Sequence, residues 1–87
     1  MSRNLIERCT KLELECQLLQ EEHELTRCKN NEAAFCLKEQ VEREAGREDA
    51  ANDCKGSALY WNQQRKFAEY RVFELRAAIY NYNNYAA

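Results

Sequence analysis

The sequence predicts an all-α protein, and within that class a long helical hairpin that is coiled-coil-like or part of a small bundle. Its 87 residues include no proline and two glycines, whereas tight turns and flexible linkers usually need more of both. Charged residues make up 32% of the chain, and helix-forming residues such as Glu, Leu, Ala and Arg dominate. A chain this short buries a modest core, so we expect oligomerisation to complete the hairpin.

The first predicted helix, residues 1–55, carries two apolar stripes. The first has the a/d spacing of a helical seam, and we predict that it forms the oligomer interface. Its residues are Leu5, Cys9, Leu12, Cys16 and Leu19. The second lies on a neighbouring face and consists of Leu14, Leu18, Leu25, Cys28 and Phe35. Two adjacent stripes are typical of a helix that packs on more than one neighbour.

The boundary between the helices is predicted at residues 52–57, since Gly56 suits the position after a helix and Ser57 suits an N-cap. We also expect the first helix to be bent or broken between residues 30 and 46. Asn30 disfavours a helix interior, and Gly46 costs about 1 kcal/mol relative to alanine. The alternative is three shorter helices, broken near Asn30 and again near Gly56. The second helix is predicted over residues 57–83, with a frayed tail at 84–87.

The second predicted helix is the most aromatic part of the chain and again has two stripes. One comprises Trp61, Ala68, Val72, Leu75, Ile79 and Tyr82, with Arg65 interrupting it. The other comprises Tyr60, Phe67, Tyr70, Phe73, Ala77 and Tyr80. A single partner helix covers one stripe only. We therefore expect a second copy of the chain or a different protein to cover the other.

The aromatic and arginine residues of this helix are the types enriched at binding hot spots. The predicted partner-binding residues are Tyr60, Trp61, Phe67, Tyr70, Arg71, Phe73, Arg76 and Tyr80. The resulting hypothesis is a non-enzymatic interaction module, a small helical adaptor or inhibitor. It would bind a larger protein through its second helix and self-associate, as a dimer, through its first. Small helical proteins without motifs often serve as phage or viral accessory proteins, which is an analogy only.

The alternative hypothesis is binding of single-stranded nucleic acid. In that case tryptophan and tyrosine would stack on bases, and the cations Arg65, Lys66, Arg71 and Arg76 would contact phosphates. Charge weighs against it. Residues 1–56 hold nine Lys and Arg against thirteen Asp and Glu, and this acidic segment would repel a phosphate backbone.

Catalysis, metals and cofactors are not expected. Cys9, Cys16 and His23 share a helical face, but a spacing of seven residues is about 10.5 Å, too far for two of them to bind one zinc ion. No nucleophile–base pair or glycine-rich loop is evident. The five cysteines are widely spaced and odd in number, unlike a secreted disulfide framework. With no signal peptide and no membrane-spanning apolar run, we expect a cytoplasmic protein with reduced thiols.

Overall fold

Two long antiparallel helices make up the fold. The computed structural model describes residues 11–86, with side chains for residues 11–84. Helix α1 occupies Lys11–Glu44 and helix α2 occupies Glu48–Ala86. They pack side by side as a rod with extents of 61 × 17 × 15 Å. The prediction of an all-α helical hairpin is confirmed.

The connection between the helices is a three-residue turn built around Gly46, whose φ of +79° lies in the left-handed region. The amide of Gly46 donates to the carbonyl of Arg43 at 3.1 Å, and the amide of Arg47 donates to that of Glu42 at 2.9 Å. This pair of bonds is the Schellman arrangement, which satisfies the last carbonyls of α1. The carbonyl of Arg47 then accepts the first helical bond of α2, from Ala51 at 2.9 Å.

The predicted boundary between the two helices was wrong. The turn lies at residues 45–47 and not at 52–57, so Gly56 and Ser57 are interior residues of α2. Helix α1 continues through Asn30 up to Glu44, so the interruption expected between residues 30 and 46 falls at the end of that range, where the turn begins; the three-helix alternative is excluded for residues 11–86. Helix α2 extends to Ala86, beyond the predicted end at residue 83, and Ala87 of the predicted tail lies outside the described residues.

Three charged residues beside the turn at Gly46 favour helix ends there. Basic Arg43 lies in the last turn of α1, and acidic Glu48 and Asp49 lie in the first turn of α2. Both placements favour helix termini there, because the helix dipole is negative at its C-terminus and positive at its N-terminus. Arg43 also bridges the turn by binding Glu48 at 2.7 Å. Gly56 has no comparable set of charges around it.

The core lies along a single seam between the helices. The second stripe of α1 and the tryptophan-containing stripe of α2 face each other there. The buried apolar residues of the seam are Leu14, Cys28, Ala51, Cys54, Ala58, Ala68, Val72, Leu75 and Ala78. Many of them are small, so the helices can approach closely but bury little apolar area per turn. The largest apolar cluster lies far from the turn, where Leu14, Leu75 and Ala78 pack with Leu18, Ile79 and Tyr82.

A polar bridge interrupts this seam near its middle. Glu32 accepts hydrogen bonds from Asn62 at 2.6 Å and from Arg65 at 2.7 Å, and Arg65 also binds Glu69 of its own helix. Asn62 and then Arg65 hold the pKa of the Glu32 carboxyl below its ordinary value. Arg65 interrupts the tryptophan-containing stripe of α2, and Glu32 interrupts the second stripe of α1 at the same level of the seam. Such a pair is suited to fixing the register of two helices.

The two glycines should respond oppositely to the same substitution. Gly56→Ala should raise the free energy of unfolding by about 0.5–1 kcal/mol, because alanine is favoured inside a helix and an added Cβ meets no atom within 4 Å. Gly46→Ala should lower it by about 1–2 kcal/mol, because the backbone there is left-handed. Chemical denaturation of both variants measures the two effects. A stabilising Gly46→Ala would show that the turn is elsewhere.

Candidate interaction surfaces

Both helices present their remaining apolar stripe to solvent. Of the predicted oligomer-seam residues, Leu12, Cys16 and Leu19 are exposed, the two leucines by 68% and 67%. Leu5 and Cys9 lie outside the described residues. These leucines therefore contribute nothing to the hairpin core, and their apolar surface remains available for contact.

The second aromatic stripe of α2 is also on the outside. Its exposed side chains are Tyr60, Phe67, Tyr70, Phe73 and Tyr80. Trp61 is half-buried at the edge of the seam. Arg71 and Arg76 are exposed but each binds a glutamate of α1. All eight predicted partner-binding residues are thus on or at the edge of the rod surface, as one neighbouring helix can cover only one stripe.

Two cross-helix ion pairs mark the two sides of the rod. Arg71 Nε lies 2.7 Å from Oε2 of Glu21, and Arg76 Nη2 lies 3.8 Å from Oε1 of Glu22. Successive residues of a helix are about 100° apart, so the neighbouring residues Glu21 and Glu22 flank the seam on opposite sides. Each outward residue can be assigned to a side by its helical spacing from one of these pairs.

On the side of Glu22 and Arg76 lie two rows of residues spaced by seven, which we call the leucine face. Leu19 precedes Glu22 by three positions, Phe73 precedes Arg76 by three, and Tyr80 follows it by four, so all three share this side. The row on α1 is Leu12, Leu19, Thr26 and Ala33, and the row on α2 is Leu59, Lys66, Phe73 and Tyr80; all eight are exposed. Leu12 and Leu19 of the predicted oligomer seam and Phe73 and Tyr80 of the predicted partner-binding set therefore share one surface.

On the opposite side lies a second surface, which we call the tryptophan face. It consists of Arg27, Tyr60, Trp61, Phe67 and Arg71; Tyr70 lies between the two faces, three positions from both Phe67 and Phe73. The guanidinium of Arg27 lies 5.1 Å from the centre of the Trp61 ring, within the range of a cation–π contact. The Tyr60 ring meets that of Trp61 edge-on, with centroids 5.1 Å apart. The tryptophan is thus held between two side chains in a fixed orientation.

Glu24 holds Arg27 in place over the tryptophan. Arg27 donates two hydrogen bonds to the Glu24 carboxylate, at 2.7 and 3.0 Å. These bonds, opposed in part by desolvation, hold the pKa of Glu24 below its ordinary value. The thiol of Cys28 also donates to Glu24, at 3.7 Å. Burial, followed by the charge of Glu24, raises the pKa of this cysteine.

Several outward apolar residues were missed by the sequence analysis. Leu37, Val41 and Leu59 are all at least half exposed, and Leu59 belongs to the leucine face. Arg27 was also missed, because its role depends on the neighbouring α2 and no spacing within α1 reveals it. Leu59 could have been found as the residue seven positions before Lys66 and fourteen before Phe73.

Neither a metal site in the described residues nor similarity to a known protein points to a function. Across residues 11–86, no three His, Cys, Asp or Glu side chains are grouped so that they could hold a metal ion. Neither α1 nor α2 combines the length and apolarity required to cross a bilayer. The chain matches no protein-family model, no curated protein and no solved structure.

The fluorescence of Trp61, the one tryptophan of the sequence, should report the protonation of Glu24. Because the pKa of Glu24 is lowered, its carboxylate stays ionised below the ordinary carboxyl range and is neutralised only as the pH falls further. Neutralisation releases Arg27 and should change the emission of Trp61. Glu24→Gln should abolish this transition. An identical transition in Glu24→Gln would contradict the coupling, and Glu15→Gln, on another part of α1, serves as the control.

Proposed function

We propose that this protein is a non-enzymatic interaction module, a small helical adaptor or inhibitor. It binds a larger protein through the outward aromatic residues of α2, and it self-associates. Its action is occlusion or scaffolding, and no chemical step is involved. The free cysteines Cys16, Cys28, Cys36 and Cys54 are compatible with a reducing compartment, and we place the protein in the cytoplasm.

The distribution of apolar side chains carries this proposal. Among the residues with described side chains, ten large hydrophobic residues are at least half exposed. The largest fully buried side chains are those of Leu14 and Cys28. Scattered surface hydrophobics are normal, but rows of them along a helix mark interaction surfaces. The hairpin therefore leaves rows of large apolar side chains available to partners.

The tryptophan face supports binding of a foreign protein. Its aromatic and arginine side chains are the types that dominate hot spots, and burying one aromatic contributes roughly 1.5–3 kcal/mol. Arg27 and Tyr60 fix the orientation of Trp61, so little side-chain entropy remains to be lost on binding. Burial of three aromatic side chains, those of Tyr60, Trp61 and Phe67, is enough to support a specific complex.

The ion pairs of α2 favour a protein over a nucleic acid as the partner. Arg65 binds Glu32 and Glu69, Arg71 binds Glu21, and Arg76 lies beside Glu22. Each of these cations would have to leave a carboxylate to reach a phosphate. The remaining glutamate would then lie beside the nucleic-acid backbone and repel it.

Affinity capture with the full-length chain tests the proposal. Capture from the native host, quantified by mass spectrometry, should recover a specific protein. Tyr60→Ala with Phe67→Ala should reduce that recovery at least about tenfold, since losing two anchors costs well over 1.4 kcal/mol. Both residues are outward, so circular dichroism should be unchanged.

A matched control uses polar outward positions of the same helix. Asn52→Ala with Gln63→Ala removes two exposed side chains of α2 and should leave capture intact. Equal capture by the wild type and the aromatic double variant would contradict the proposal. Unfolding of the aromatic double variant would contradict it as well, because those residues would then be part of the core.

A further inference from the structure

Arginine and lysine differ in how their charge is compensated on this hairpin. Each arginine among residues 11–86 is paired with a glutamate, namely Arg27, Arg43, Arg47, Arg65, Arg71 and Arg76. In contrast, Lys29, Lys55 and Lys66 are exposed and form no salt bridge with any described residue. The protein carries a net charge of −2, so three uncompensated cations on one side would distinguish that side from the rest of its surface.

The polar bridge in the seam shows that the three lysines do share one side. Asn62 of α2 donates to Glu32 of α1 at 2.6 Å, so these two residues lie at the same level of the rod. Lys29 precedes Glu32 by three positions, Lys55 precedes Asn62 by seven, and Lys66 follows Asn62 by four. These spacings place all three lysines on the side of the leucine face, to which Lys66 itself belongs.

The lysines enclose exposed apolar residues along the rod. A rise of about 1.5 Å per residue places Lys29 and Lys66 about 4.5 and 6 Å from the bridge, towards the open end, and Lys55 about 10.5 Å from it, towards the turn. Ala33 and Leu59 are exposed and lie between these levels. Two cations at one end and one at the other are therefore about 15 Å apart, with apolar surface between them. We call these five residues the lysine patch.

We propose that the lysine patch binds an acidic amphipathic helix of another protein. Two packed helices leave a groove along each side, and a third helix fits such a groove. The uncompensated lysines attract carboxylates, and Leu59, which is 62% exposed, requires an apolar contact. The patch lies on the side of the rod opposite the tryptophan face, so the inference goes beyond the proposed function and adds a second binding surface.

The spacing of the patch specifies the pattern of the bound helix. Helical residues eleven positions apart are about 16 Å apart and nearly in line, which matches the distance between the two groups of lysines. The bound helix should therefore carry carboxylates at positions i and i+11. Its apolar residues should lie between them on the same face, at i+4 and i+7, to contact Leu59. This pattern is the same in both chain directions.

Other anionic partners fit the side of the rod less well. A phosphate backbone would satisfy the lysines, but it offers no apolar group to Leu59. A flat anionic bilayer would contact the whole side of the rod. Towards the open end, however, Glu15, Glu22 and Glu69 offset the nearby cations, so that part of the side would gain little from an anionic surface.

Fluorescence anisotropy of labelled synthetic helices with the full chain tests the inference. The acidic probe is a helix of about 14 residues with glutamate at i and i+11, leucine at i+4 and i+7, and alanine or glutamine elsewhere. The basic probe has lysine in place of glutamate. The wild type should bind the acidic probe weakly, as expected of a small interface, and salt should reduce this binding. The basic probe should not bind. A third probe, with glutamate and leucine exchanged, should bind less than the acidic probe.

Charge reversal identifies the residues responsible. Lys29→Glu, Lys55→Glu and Lys66→Glu together should weaken binding of the acidic probe at least about tenfold. The same triple variant should bind the basic probe, which also shows that it is folded. Lys38→Glu is the matched control. Lys38 is likewise exposed and without a salt bridge to any described residue, but it follows Glu24 by fourteen positions, on the side of the tryptophan face, so the acidic probe should still bind.

Equal binding of the acidic and basic probes, or equal weakening by Lys38→Glu, would overturn the inference. So would failure of the acidic probe to bind while a single-stranded oligonucleotide or phosphatidylserine vesicles bind through the same three lysines. A dimer that is lost in the triple variant would assign the patch to a second copy and overturn it too.

Failure of this inference is distinguishable from failure of the proposed function. Affinity capture that depends on Tyr60 and Phe67 is measured on the triple lysine variant. Capture without binding of the acidic probe by the wild type refutes the lysine patch alone. Binding of the acidic probe without such capture refutes the binding role of the aromatic residues alone.

Discussion

Two helices share one seam, and this geometric limit governs the rest of the molecule. Each helix carries two apolar stripes, but a single neighbour can cover only one of them. The hairpin uses the stripe of Leu14 and Cys28 on α1 and the stripe of Val72 and Leu75 on α2. The other stripe of each helix is left outward, with its leucines and aromatic residues in water. The surfaces proposed for binding are a consequence of a fold that has no third helix among residues 11–86.

The seam itself is narrow, so polar contacts have an important part in defining it. Small residues such as Ala51, Ala58 and Ala68 give close approach but little apolar burial, and would tolerate a shift in pairing. Glu32 removes this ambiguity, because only one register lets it bind both Asn62 and Arg65. Apolar contacts thus favour association of the helices, while the polar bridge determines which residues are paired.

Much of this arrangement could be predicted from the sequence, because helical periodicity is a local property. The spacing of Leu14, Leu18 and Leu25 identifies one face of α1 wherever the helix ends. The turn was misplaced because Gly56–Ser57 matches the usual helix-end residues, whereas Gly46 ends α1 through its left-handed backbone, which the sequence does not distinguish from a glycine inside a helix. How the outward stripes combine was beyond sequence reasoning. Leu19 and Phe73 share a face because Glu22 pairs with Arg76. This pairing joins two helices, so the spacing of residues within either helix does not predict it.

The division into inward and outward stripes is the central claim, and the rate of thiol alkylation at each cysteine tests it most directly. Dilute wild-type protein, at a concentration where it has the mass of one chain, would be pulsed with iodoacetamide and mapped by mass spectrometry. Cys16 and Cys36 should react quickly, and Cys28 and Cys54 should be protected until the hairpin opens. Equal rates at all four, or faster reaction at Cys28 than at Cys16, would contradict the assignment of the buried stripe.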